Sequence, residues 1–118
     1  MTPAGCELCE RVAAEGDFFI AELDACRYEL STVERARLIE DVNRIAQALA
    51  RVYQPVKMNY ELLGNQVAHT HWHLIPRLAG DPEPRWPVWR VEHEAAPLPM
   101  DQVADRIESL RRALAAPR

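Results

Sequence analysis

Long apolar runs are missing from this chain. No stretch approaches the length of a membrane span or of the hydrophobic segment of a secretion signal, so no membrane partner is expected and the cytoplasm is the expected location. Positive charge is also scarce. Fourteen Lys and Arg stand against 18 Asp and Glu, for a net charge of -4. Bulk nucleic-acid binding is therefore not expected, and any anion must be held by local donors. Internal repeats and low-complexity tracts are absent. Cysteine is sparse and odd in number, three in all, with two of them in Cys6-Glu7-Leu8-Cys9. In a reducing compartment that spacing reads as half a zinc site or as chance before it reads as a disulfide. What remains is ordinary: 118 residues, 48% hydrophobic and 27% charged, the size and composition of one domain with one core.

The chain opens on a polar stretch of sixteen residues that carries the Cys pair, and Phe18 to Leu23 has the character of a short strand. Ser31 and Glu34 have the spacing of a capping box, in which the hydroxyl accepts from a first-turn N–H and the carboxylate reaches back to the cap. Behind them Ile39, Val42, Ile45, Ala46, Leu49 and Val52 recur at helical intervals, and Pro55 breaks the pattern. From Val56 to Leu63 the period shortens to two. Val56, Met58, Tyr60 and Leu62 face one way, and Lys57, Asn59 and Glu61 the other. Gly64-Asn65 then signals a turn into the next strand, giving an antiparallel hairpin that brings Asn59 to the surface of the following histidines.

Three of the four histidines lie in His69-Thr70-His71-Trp72-His73-Leu74-Ile75-Pro76-Arg77. Thr70, Trp72 and Leu74 favour strands, and a strand sends alternate side chains to opposite faces. The three imidazoles are thus expected in a row on one face, with Pro76 ending the run and Arg77 just beyond. The plain alternative is a half-exposed strand that happens to be rich in histidine. The segment after Arg77, through Asp81-Pro82-Glu83-Pro84-Arg85-Trp86-Pro87-Val88-Trp89, is too rich in proline for a helix or a central strand. Its two tryptophans need a surface to lie against: a cap on the sheet or a subunit interface is expected, ahead of a wall of a ligand pocket. From Pro99 to Leu114 the residues Val103, Ile107, Leu110 and Leu114 recur as in a final helix.

A row of imidazoles can serve as a nucleophile with flanking donors. That role needs a neutral ring, a lone pair aimed at the electrophile and a hydrogen bond fixing the other nitrogen. If the electrophile is phosphorus, donors must also meet the charge on its oxygens. No acidic residue lies in the strand, which argues against a Mg²⁺ cage. The row can instead be read as zinc ligation. The outer two histidines are roughly 13 Å apart along a strand, so one ion reaches at most two of the three, with Cys6 and Cys9 as completing thiolates. A structural role fits such a site better than a catalytic one.

With these residues in place, the chain resembles the histidine triad family of nucleotide hydrolases and transferases. The resemblance runs from Asn59-Tyr60-Glu61-Leu62-Leu63-Gly64-Asn65-Gln66-Val67-Ala68 through His69, His71 and His73 to Arg77 and on to Trp89, and the helix from Ser31 fits too. It implies a single α+β domain over 1–118, with an antiparallel sheet, a long capped helix, a Pro- and Trp-rich extension from about 79 and a C-terminal helix. It also implies that His71 attacks the α-phosphorus and carries the nucleotidyl group, that His73 binds phosphate oxygens, and that His69 orients His71. Asn59, Asn65 and Gln66 would then contact ribose or phosphate. A homodimer is implied, and in some branches a zinc ion, for which Cys6, Cys9 and His69 are three of the four donors; the chemistry itself requires no metal.

One departure stands out. The family places two further strands and a histidine before the capped helix, where this chain has only Leu23 to Leu30. Either those strands have been lost or the chain is interrupted between Leu23 and Tyr28; because losing them would expose a sheet edge, the interruption is the expectation. The function expected is a hydrolase or nucleotidyl transferase, similar to dinucleoside polyphosphate hydrolases, that cleaves a nucleotide phosphoanhydride or phosphoramidate. The alternatives are a nucleotide-binding scaffold with little turnover and a zinc-stabilised structural domain.

Overall fold

The computed structural model describes residues 30–63, 71–90, 92, 94 and 96–117. The expected strand at Phe18 to Leu23, the Cys pair, the connection between Leu23 and Tyr28 and the Gly64-Asn65 turn lie outside these residues. Four elements follow in order: α1 (Thr32–Tyr53), β1 (Lys57–Glu61), β2 (His73–Arg77) and α2 (Met100–Ala115), with a 3-10 turn at Val88–Arg90 between β2 and α2. The expected α+β class is what is found.

Helix α1 starts where its cap dictates. Glu34 donates its N–H to Ser31 Oγ at 3.2 Å, and Ser31 donates its own to Glu34 Oε2 at 2.7 Å. The two bonds satisfy donors that a helix start leaves without partners, which is worth about 1 kcal/mol for the Ser side chain. At the other end Gln54 adopts a left-handed conformation, φ 46° and ψ 53°, and Pro55 prevents continuation. The buried face is turned slightly from the expected one. Leu38, Val42, Ala46 and Ala48 are buried, whereas Ile39 is 55% exposed. Leu38 and Ile39 stand four and three residues before Val42, and helical periodicity admits either; packing selects Leu38.

Helix α2 begins one residue after Pro99 and lays Leu110 into the core. It packs against α1, which also touches β2. Arg51 of α1 donates Nη1 to the Ala113 carbonyl at 3.2 Å. That carbonyl lies in the last turn of α2, where helices lack internal donors and the dipole favours a cation. The apolar core among the described residues is small, and it belongs to the two helices.

Strands β1 and β2 pair antiparallel, as the two-residue period predicts. The register sets Lys57 opposite Arg77, Asn59 opposite Ile75 and Glu61 opposite His73. Paired residues share a face, so Asn59, Glu61, His73 and Arg77 stand on one side of the ribbon. Two expectations need correction. The ladder stops at Glu61 and His73, so His71 and Trp72 precede β2 instead of lying in it. And Pro76 and Arg77 belong to β2, since a strand tolerates proline where its missing N–H faces away from the ladder.

Candidate functional site

The ribbon carries the site at the end where its ladder stops. The His71 and His73 rings meet edge to face, their centroids 5.1 Å apart and their planes at 71°. His71 keeps company with His73 although it lies outside the ladder. His73 is in turn contacted by Trp89, at 5.5 Å and 82°. Trp89 donates its indole N–H to the Glu61 carboxylate, and Glu61 is the cross-strand partner of His73. Trp89 thus reaches across the end of the ribbon and fixes itself to both strands. Of the two tryptophans expected to cap the sheet or an interface, Trp89 touches the ribbon on the side of His73 and is 61% exposed. Trp86 is held differently, with the Arg90 guanidinium 3.7 Å above its ring. Trp72 is half-buried, and its indole nitrogen is enclosed without a partner among the described residues.

The other end of the same face is organised by Arg77. This side chain is 4% exposed, the one buried charged residue among those described. Its Nε donates to Asp81 Oδ2 at 2.5 Å, Nη1 to Asn59 Oδ1 and to the Trp86 carbonyl, both at 2.7 Å, and Nη2 to the Glu83 carbonyl at 2.8 Å. A guanidinium offers five donors in a planar fork, and four acceptors are met here. Local sequence builds the clasp. Gly80 takes φ 90°, a conformation that costs glycine little, and Asp81 donates its N–H to the Leu78 carbonyl at 3.2 Å. The turn folds Asp81 back onto Arg77, and Asp81 Oδ1 accepts from the Glu83 N–H at 2.8 Å.

Electrostatics agree with the geometry. The hydrogen bond to Asp81, with its charge, holds the Arg77 guanidinium above the ordinary arginine range, against the burial that pulls it down. A folded-state value raised in this way contributes stability below the unfolded value and loses it only as pH climbs past the arginine range. The Arg77 guanidinium therefore stays charged through the neutral range.

Of the residues singled out in the sequence, the structure brings together His71, His73 and the face that bears Asn59. His69, Asn65 and Gln66, with Cys6 and Cys9, lie outside the described residues. Among the described residues no group of three His, Cys, Asp or Glu side chains is placed to hold a metal ion. No described helix is long and apolar enough to cross a membrane. Sequence reasoning missed Arg77, Asp81, Glu61 and Trp89 as parts of the site. The Gly80-Asp81 turn four residues after Arg77 was the available signal for the first pair; Trp89 and Glu61 are 28 residues apart and left none.

Comparison with known proteins gives the same frame. The HIT domain family matches residues 21–80. No curated protein matches the chain. Three solved histidine triad proteins are similar in structure and sequence. That of Bradyrhizobium japonicum is 34% identical with a TM-score of 0.67, and that of Sinorhizobium meliloti 1021 is 30% identical with a TM-score of 0.66; each similarity covers 73% of this chain and 63% of the other. That of Marinobacter aquaeolei VT8 is 31% identical with a TM-score of 0.65, over 74% of this chain and 63% of the other. The chain therefore spans less than two thirds of the length of these relatives. With a family match over half its length and paired histidines at the end of its hairpin, this chain belongs to the histidine triad family.

Proposed function

We propose that the protein cleaves a nucleotide phosphoanhydride or phosphoramidate through a nucleotidyl-histidine intermediate on His71, releasing or transferring the nucleotidyl group. A single observation supports this reading most: the His71 and His73 rings stand side by side, 5.1 Å apart, at the end of the ribbon whose face carries Asn59. In the proposed reaction a ring nitrogen of His71 donates its lone pair to the α-phosphorus. The N–P bond forms as the P–O or P–N bond to the leaving group breaks, and the leaving group departs with the electron pair, an amine taking up a proton from solvent. Water then attacks the same phosphorus and gives up a proton to solvent, the N–P bond breaks with its electron pair returning to the ring, and His71 is regenerated. His73 and Asn59 supply donors to the phosphate oxygens, whose charge grows in each step. Asn65, Gln66 and His69 complete the phosphate and ribose contacts in this reading.

The reading extends to a cytoplasmic homodimer. Tyr60 and Leu62 of the hairpin are more than half exposed, apolar surface that a second copy would cover. A structural zinc on Cys6, Cys9 and His69 is part of the same proposal, with two thiolates and an imidazole as suitable donors. It has no part in the reaction. The test is His71→Asn, assayed by AMP release from diadenosine tetraphosphate and from adenosine phosphoramidate. Turnover is expected to fall by about 10³-fold or more, with AMP binding kept within a few-fold. Turnover unchanged in the variant overturns the mechanism. Retained AMP binding by a wild-type protein that releases no AMP from either substrate favours the scaffold without turnover.

A further inference from the structure

We infer that Arg77 is a positioning residue for the site: by taking the carbonyl oxygen of Asn59 it sets the orientation of that carboxamide, so that the NH₂ end is the one offered to an anion. The inference rests on the reading of Asn59 as a phosphate or ribose contact. A carboxamide has two ends of similar shape and opposite character, and nothing in a strand by itself chooses between them. Arg77 chooses. A guanidinium has no acceptor, so the end that meets Nη1 at 2.7 Å must be the oxygen. Had the amide turned the other way, two donors would face each other in a half-buried place.

The remaining end is a pair of N–H donors on the face of the ribbon that also carries Glu61 and His73. Withdrawal of electron density by a cation at the oxygen makes these N–H groups stronger donors. Arg77 can do this only because it is itself immobile. Asp81, Glu83 and Trp86 occupy three of its other four donors, and the side chain is 4% exposed. Neutralisation by Asp81 keeps the guanidinium from attracting the anion to itself. The Pro- and Trp-rich segment is thereby coupled to substrate through one side chain, at Asn59, while Trp89 couples it to His73 by a separate contact.

A double-mutant cycle tests this. Asn59→Ala, Arg77→Lys and the double variant are compared by titration with AMP and by thermal unfolding. Lysine keeps the charge but cannot hold the fork, so each single variant is expected to bind AMP roughly tenfold more weakly. If Arg77 acts through Asn59, the double variant also binds roughly tenfold more weakly, although its thermal midpoint is below that of Asn59→Ala. A loss of roughly a hundredfold in the double variant overturns the inference, since the two residues then act independently. Unchanged AMP binding in Asn59→Ala overturns it too, and the reaction at His71 is judged separately by turnover in His71→Asn. Should Arg77→Lys fail to fold, Asp81→Asn takes its place in the cycle. It leaves one neutral oxygen where the carboxylate served both Nε and the Glu83 N–H, which loosens the fork while keeping the donor to Asn59; an effect on AMP that vanishes in the Asn59→Ala background supports the inference, and one that persists, or no effect at all, overturns it.

Discussion

The helix pair and the hairpin with its Pro- and Trp-rich segment solve the same problem by opposite means. Helices α1 and α2 are held by a few buried apolar side chains, Leu38, Val42, Ala46, Ala48 and Leu110, which tolerate many arrangements. The hairpin and the residues from 81 to 90 are held by directed bonds: four from Arg77 and one from the Trp89 indole. Burial of hydrocarbon is non-directional, whereas each of these bonds demands a distance and an angle. The difference teaches where stability and where geometry reside. The helices supply a base, and the polar clasp fixes the positions of Asn59 and His73.

That contrast can be broken or sharpened by substitution. Leu38→Ala opens the small core and should cost about 2–3 kcal/mol in denaturant unfolding, with AMP affinity unchanged. A matching loss of AMP affinity would show that the core and the site are not separate. Ser31→Ala removes one arm of the capping box and should cost about 1 kcal/mol by the same measurement, again without effect at the histidines. The smallest stability change is expected for Trp89→Phe, about 0.5 kcal/mol or less, because the lost bond to Glu61 is at an exposed position. Here the order reverses. The His73 ring resonances in an NMR spectrum should shift and AMP affinity should drop about two- to threefold, a change at the site out of proportion to the change in stability. Unmoved His73 resonances would detach Trp89 from the site.

Legibility in the sequence followed the same division. The start of α1 was readable because a capping box is closed within four residues, Ser31 to Glu34. The antiparallel pairing and the shared face of Asn59 and His73 were readable because strand periodicity has only two phases. The buried edge of α1 was read one position off, at Ile39 instead of Leu38, since the choice depends on what packs there. The end of the ladder was missed for a like reason: His71 has strand-like neighbours but no paired strand opposite it.

Arg77 shows the limit most clearly. In the sequence it was simply the residue just beyond the histidine run, with no role attached. Its acceptors come from β1, from the turn after Gly80 and from the carbonyls of Glu83 and Trp86, 4 to 18 residues away. Periodicity and side-chain type were enough for the types of the described elements and for the face that His73 shares with Asn59. Only the tertiary structure decided which donors meet which acceptors, because a buried cation is defined by partners that converge in space from separate parts of the chain.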